Sequence, residues 1–387
     1  MRRLKFLAVV LCFCVSCLER YDPAVDQSAF EALVVDGRID ANGEGTVLLT
    51  NTVPLYQFSG APAETGATVS IRSSTGEDFS LPEVEPGKYS AKNLPVDQTS
   101  SYTLYIKRSN GREYQSDVVK IHPTPNIDKV YFAGAATGDA VEFRTDSKDI
   151  HPDATGFYAF ECIETYEYTS QYFSRYKRVN GIPVLRHKGE YVDTCWHELP
   201  VPLTLTTTKR LTENTISGHV VTSINIKSPK ISRRYSILVR QRAIDEQEYI
   251  YRTQLAKTVE QQGSIFAEIP GSVVSNVHNI ADANEPVLGY FRGQQMKEKR
   301  IFMGRADLPE ELKVDLDPEA CDLETTCPTN TKPTGPNQCV EIQLLSESKI
   351  IITSFEYRNA TVYVFSTNEC GDCTKKGGKT VPPDYWF

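Results

Sequence analysis

From Phe30 onward the chain is written in short runs of alternating apolar and polar positions, split by turn residues. Val69 and Ile71 alternate with Thr68, Ser70 and Arg72. That period of two puts one face of a strand into a core and the other into water. The runs "ALVVDGRI", "TVLLT", "ATVSIRS", "EDFSL", "GKYSAKNL", "SYTLYIKRS" and "REYQSDVVKI" follow one another closely. Ser74-Thr75-Gly76 and Ser109-Asn110-Gly111 read as hairpin turns, and Asp36-Gly37 carries a hairpin-type turn signal. About seven strands in roughly 95 residues predict a β-sandwich of immunoglobulin or transthyretin type over 29–122. The proline-rich "HPTPNID" at 122–128 reads as its boundary.

The pattern over 129–387 predicts a larger β-rich domain with one amphipathic helix and a disulfide-rich C-terminal segment, 321–387. "FYAFECIETYEYT" places Tyr158, Phe160, Cys162, Tyr166 and Tyr168 on one strand face, and "RRYSILVRQRAI" is another strong strand. In "DEQEYIYRTQLAKTVEQQG" the period changes to that of a helix. Asp245 caps it with Glu248 three residues later, a capping box, and Ile244 and Tyr249 form a hydrophobic staple. Tyr249, Ala256 and Val259 share one face, Leu255 is a candidate for packing on a sheet, and Gly263 suits a left-handed exit. "SKIIITSFEY" and "ATVYVFST" predict two late strands.

The first residues follow another logic. Arg2, Arg3 and Lys5 precede an apolar run from Phe6 to Val15, too short for the roughly 20 residues a membrane-spanning helix needs. It fits a secretory signal, 1–16, ending in Val15-Ser16-Cys17, the pattern of a bacterial lipoprotein. Cys17 is the expected lipidation site and 17–28 the tether. Loss of the three signal cations takes the formal charge from −8 to −11. An acidic chain of this kind argues against nucleic acid as a partner.

Export changes the reading of the ten cysteines. Disulfides persist outside the cytoplasm. Cys370-x-x-Cys373 could be a zinc knuckle, a redox pair or a staple; the glycines and prolines around it forbid the helix that a redox motif needs. Structural disulfides are expected among Cys195, Cys321, Cys327, Cys370 and Cys373, with no metal and no cofactor. At least one of Cys370 and Cys373 should bond to an earlier cysteine. Tyr385, Trp386 and Phe387 could then bury as an aromatic latch. Seven cysteines follow Cys17, an odd number, so one thiol should stay free and buried.

No H-E-x-x-H, G-x-S-x-G or phosphate-binding loop occurs, so no catalytic residue is expected. "CWHE" at 195–198 joins a thiol, an imidazole and a carboxylate, but neighbouring strand residues point to opposite faces, so sequence proximity makes no dyad. Glu161, Glu164 and Glu167 resemble paired glycosidase carboxylates and read better as a solvated sheet face. Tyr166, Tyr168, Tyr172 and Tyr176, with Phe173, form the candidate ligand surface, set against ordinary use of tyrosine on sheets.

Several stretches together resemble the domain of unknown function 4249 family, lipoproteins of the Bacteroidota outer membrane. They are "LVVDGRI", "GATVSI", "GKYSA", "DTCW", "YSILVRQRAIDEQEYIY", "GSIF", "VLGYF", "KRIFM" and "CGDCTKKGG…PDYWF". The resemblance implies no catalytic residues. It implies an outer-membrane address and a TonB-dependent transporter as partner. The expectation is a lipid-anchored, non-enzymatic accessory that helps capture or admit a transporter's substrate. The alternatives are a structural envelope-assembly or adhesion lipoprotein, and a hydrolase. Glu19 and Asp22 after Cys17 resemble surface-export signals, so exposure on the cell surface is expected over a periplasmic orientation.

Overall fold

The computed structural model describes residues 32–53, 60–151, 154–261, 275–314, 321–328 and 340–386. The signal, Cys17, the tether, Gly263 and Phe387 lie outside the described residues. Strand makes up 51% and helix 11%, so the fold is all-β, as the alternation predicts.

The first sandwich packs two sheets over one core. One sheet runs Val287–Gln294, Leu33–Asp40, Gly45–Asn51, Lys88–Ala91, Glu83–Glu85. The other runs Val277–Asn279, Glu113–Ser116, Ser101–Lys107, Thr68–Ser73, Asp78–Leu81, with Val119–Lys120 beside Ser101–Lys107. Leu33, Val35, Ile39, Val69, Ile71, Leu104, Tyr114 and Phe291 meet between them, fully buried or nearly so. The two Ser/Gly turns form as expected, with Gly76 N–H donating to Ser73 O and Gly111 N–H to Arg108 O.

Two expectations are corrected here. The sandwich does not end at 122, because strands from 277–294 return to complete both sheets. Leu33–Asp40 pairs in parallel with Val287–Gln294, Leu33 opposite Val287 and Asp40 opposite Gln294. Parallel pairing requires a long crossover, and here the second domain is inserted in it. Nor is Asp36-Gly37 a turn. It sits inside Leu33–Asp40, where the Phe291 ring leaves only 2.9 Å for a Cβ at Gly37. Gly289 answers a stricter demand, with φ +98° and a Cβ position only 1.9 Å from Val35 O. Only glycine lets the returning strand reach its partner.

The second sandwich packs the sheet Lys129–Gly134, Ala140–Lys148, Thr215–Asn225 on the sheet Thr194–Thr207, Phe157–Thr169, Arg234–Ile244, Lys297–Gly304. Tyr158, Phe160 and Cys162 lie in its core with Tyr166 packed at the margin, so that strand-face reading holds. Past it, Glu324–Thr325, Ala360–Thr367 and Lys349–Tyr357 form a small sheet, and Tyr176–Val179 pairs with Ile182–Leu185 as a separate hairpin.

The helix Glu246–Gln261 starts where the sequence places it. Glu248 N–H donates to Asp245 Oδ1 at 2.7 Å, and Ile244 and Tyr249 pack in one small cluster with Phe157 and Ala159. The expected apolar stripe does not form: Ala256 and Leu255 are exposed, and the side chain of Val259 is outside the described residues. The helix is held by its first two turns.

Candidate functional site

Where the sandwiches meet, charge is buried instead of apolar surface. Arg242, on the strand Arg234–Ile244, is 1% exposed. Its Nη1 lies 2.8 Å from Glu248 Oε1 and its Nε donates to Glu161 Oε1 at 3.2 Å. Glu248 also accepts from Arg252 Nε at 2.7 Å, one helical turn on. From the first sandwich, Arg292 reaches Asp36 Oδ1 at 2.6 Å. Three guanidiniums thus face three carboxylates across four strands and a helix. Such pairs are costly to desolvate and costlier to break, because one removed partner leaves a buried charge unmatched. Burial pushes the Glu248 carboxyl up, but Arg242, Arg252 and Arg292 outweigh it and hold the carboxyl at about 2. Glu161 and Asp36 are also lowered against burial, by Arg242 first in one case and Arg292 in the other.

Beside this cluster a cleft of about 690 Å³ opens along the seam. Arg38, Asp40 and Glu44 line it from the first sandwich, Glu161, Arg240 and Glu298 from the second, and Arg292 and Gln294 from the returning strand. Most of these groups are matched. Arg240 Nε is 3.2 Å from Glu298 Oε2, and Gln294 Nε2 donates to Asp40 Oδ2 at 2.9 Å. The alternation pattern marks these positions only as outward-facing. The cleft exists because strands far apart in sequence bring them together.

The sequence-predicted residues sit elsewhere. Cys195 is bonded to Cys373 and Cys321 to Cys370, with Cα–Cα distances of 5.7 and 5.9 Å. Cys327 is disulfide-bonded as well. Cys370-x-x-Cys373 is therefore a double staple. Each of its sulfurs ties to a different earlier cysteine, and no group of metal ligands occurs among the described residues. Cys162 is the free, buried thiol, and burial pushes it up to about 12, where it carries no thiolate at neutral pH.

"CWHE" holds no dyad, though for another reason than the expected one. Cys195 and His197, two residues apart, do share a face, since both border Gly378; the Cys195 sulfur is simply spent. His197 stacks on Tyr166 at 5.0 Å and meets the edge of Tyr168 at 6.1 Å. Burial, then the nearby Lys376 charge, holds its imidazole below the ordinary value. Tyr172 donates to Cys321 O, and Tyr176 shares a hydrogen bond with Ser354. The four tyrosines thus divide into a histidine stack and two anchors of the C-terminal segment, and they do not form one recognition surface. Glu164 corrects the solvated-face reading: it is buried, pairs with Lys230 and accepts from Tyr235 at 3.1 Å.

The aromatic latch forms in part. Tyr385 shares a 2.9 Å hydrogen bond with Thr165 and lies under Arg300 at 3.7 Å, and Trp386 meets Phe302 edge-on at 5.7 Å. Lys379 pairs by backbone with Trp196, which extends the sheet of the second sandwich toward the tail.

Two interlocked β-sandwiches, a disulfide-tied tail and a polar cleft on the seam define an all-β protein of tandem-sandwich architecture. The chain belongs to the family described as Domain of unknown function (DUF4249), whose profile matches residues 19–300. No curated protein matches it. Among solved structures it is similar to the chicken CNTN1 FN1-FN3 domains, at 13% identity over 56% of this chain and 63% of that one, less than two thirds of its length. The TM-score of 0.19 is too low to bear on function.

Proposed function

We propose that the protein is a lipid-anchored, non-enzymatic accessory of the outer membrane that docks on a TonB-dependent transporter and helps capture its substrate. The seam cleft carries this reading. It has the volume of a small-ligand site, roughly 300–1,000 Å³, and its walls come from strands held rigid by two cores and a buried charge cluster. The hairpin Tyr176–Leu185 supports the docking half. Its other face is bound through Arg178 to the carbonyls of Leu345 and Ser346, while Val179, Ile182 and Val184 are 45, 64 and 39% exposed on one face. Clustered apolar exposure of this kind marks an interaction surface. The proposed address and partner are what the family resemblance implies.

Detergent extraction of the native membrane followed by pull-down tests the reading. Recovery of a transporter in near-equal amount is the expected result; recovery of assembly factors alone overturns it in favour of an envelope-assembly role. Cys17→Ala should release the protein from the membrane, and its retention at wild-type level would remove the lipid anchor.

A further inference from the structure

Among the described residues, the seam cleft contains one cation, Arg38, and one anion, Glu44, whose side chains enter no hydrogen bond or ion pair; Arg38 acts on Asp36, two residues away on its own strand, only through space. Arg38 and Arg292 are direct Cα partners in the parallel ladder of the first sandwich, so two guanidiniums stand side by side on one sheet face. Like charges placed opposite each other across strands repel. Arg292 is matched by Asp36. Arg38 is half-buried and makes no hydrogen bond or ion pair among the described residues. Glu44, at the end of the adjoining turn, lines the same cleft, and its carboxylate likewise has no partner among them. These two groups do not pair with each other, although Arg240 and Glu298, in the same cleft, do.

A cleft that pairs or hydrogen-bonds its other charges internally, Asp40 through the Gln294 amide, and leaves one of each sign open is complementary to a ligand carrying both. The amide side chains of Asn42, Gln98 and Gln294 around it offer the donors and acceptors that peptide groups need. We propose that the cleft binds a short peptide with free termini, its carboxylate held by Arg38 beside Arg292 and its ammonium by Glu44 with Asp40. Arginine is suited to the first task because its planar donors match a carboxylate two at a time. The assignment rests on the reading of the cleft as a capture site and specifies what is captured.

Calorimetric titration of the full-length protein with tri-alanine, tri-alanine amide and N-acetyl tri-alanine tests it. Tri-alanine should bind, and blocking either end should weaken it about ten-fold or more, the usual loss for a charge-assisted hydrogen bond. Arg38→Gln should make the free acid and the amide bind equally, and Glu44→Gln should do the same for the free amine and its acetyl form. Arg38→Lys should recover part of the preference for the acid. Unchanged melting temperatures of the variants establish that each is folded. Absence of tri-alanine binding to the wild type overturns the proposal, as does a preference for the acid that survives Arg38→Gln. Equal binding of free and acetylated peptide overturns the zwitterion assignment. The same Arg38→Gln protein is taken through the transporter pull-down. Transporter recovery without peptide binding by the wild type refutes the cleft assignment alone, and peptide binding without transporter refutes the docking alone.

Discussion

The first sandwich and the C-terminal segment hold themselves together by opposite means. The sandwich encloses a continuous cluster of 19 buried apolar residues and no cysteine. The segment beyond residue 340 has a cluster of only three, Leu345, Ile351 and Phe365, with Ile350, Ile352, Ala360 and Val362 buried outside it, and is tied by Cys195–Cys373 and Cys321–Cys370. At about 1.5–3 kcal/mol for each fully buried large apolar side chain, the sandwich needs no cross-link. The tail cannot match that. Closing loops with sequence separations of 178 and 49 restricts its unfolded chain by roughly 3–5 kcal/mol per bond instead. Covalent and apolar stabilisation substitute for each other, and the substitution follows the local supply of core residues.

The sharpest way to break this comparison is Phe291→Ala, which should cost about 3–5 kcal/mol in denaturant titration, in reducing and oxidising buffer alike. Cys373→Ser should cost about 2–4 kcal/mol, and limited proteolysis should show the loss confined to the tail. A collapse of both regions in either variant would mean that they are one cooperative unit. Mass mapping of the unreduced protein should return both disulfides.

Acid acts on the seam between the two sandwiches. The folded Glu248 carboxyl, at about 2, lies below its ordinary 4.5, so its contribution is fully present above pH 4.5 and is lost as pH falls toward 2. The urea midpoint should drop across that window, and Glu248→Gln should flatten the drop at the expense of stability at neutral pH. The smallest effects belong to the helix. Asp245→Ala should cost about 1 kcal/mol through loss of its hydrogen bond to the Glu248 N–H. Leu255→Ala, at an exposed position, should stay within about 0.5 kcal/mol.

What the sequence disclosed follows from the range of each signal. Alternation, turn glycines and the Asp245 cap act within a few residues, and, Asp36-Gly37 excepted, they read correctly as strands, hairpins and a helix start. The cysteines declared a disulfide framework, but pairing is a matter of three-dimensional position, and only the structure assigns Cys195 to Cys373. The cleft was illegible because Arg38 and Arg292 meet across a parallel ladder that no local pattern announces. The tyrosine cluster was illegible for the same reason, and the absence of a "CWHE" dyad was expected on the wrong ground. Nearness in sequence does not say where a side chain is used: the fold spends Cys195 in a bridge and the Tyr172 hydroxyl on Cys321 O.

The return of Val287–Gln294 to Leu33–Asp40 also sets a timetable. In a chain that emerges from its amino end, Leu33 must wait for a partner 254 positions later, Val287, before its sheet is complete. Until then one flank of the first sandwich exposes unpaired backbone groups, the kind of edge that recruits other chains. Long-range pairing of this sort slows folding, because the loop must close before the contacts repay it. The last bond waits longer still, since Cys195 finds Cys373 only near the final residues. A fragment stopping at residue 128 should therefore aggregate, and a chaperone that shields an open strand edge would be the most useful companion this chain could meet while it folds.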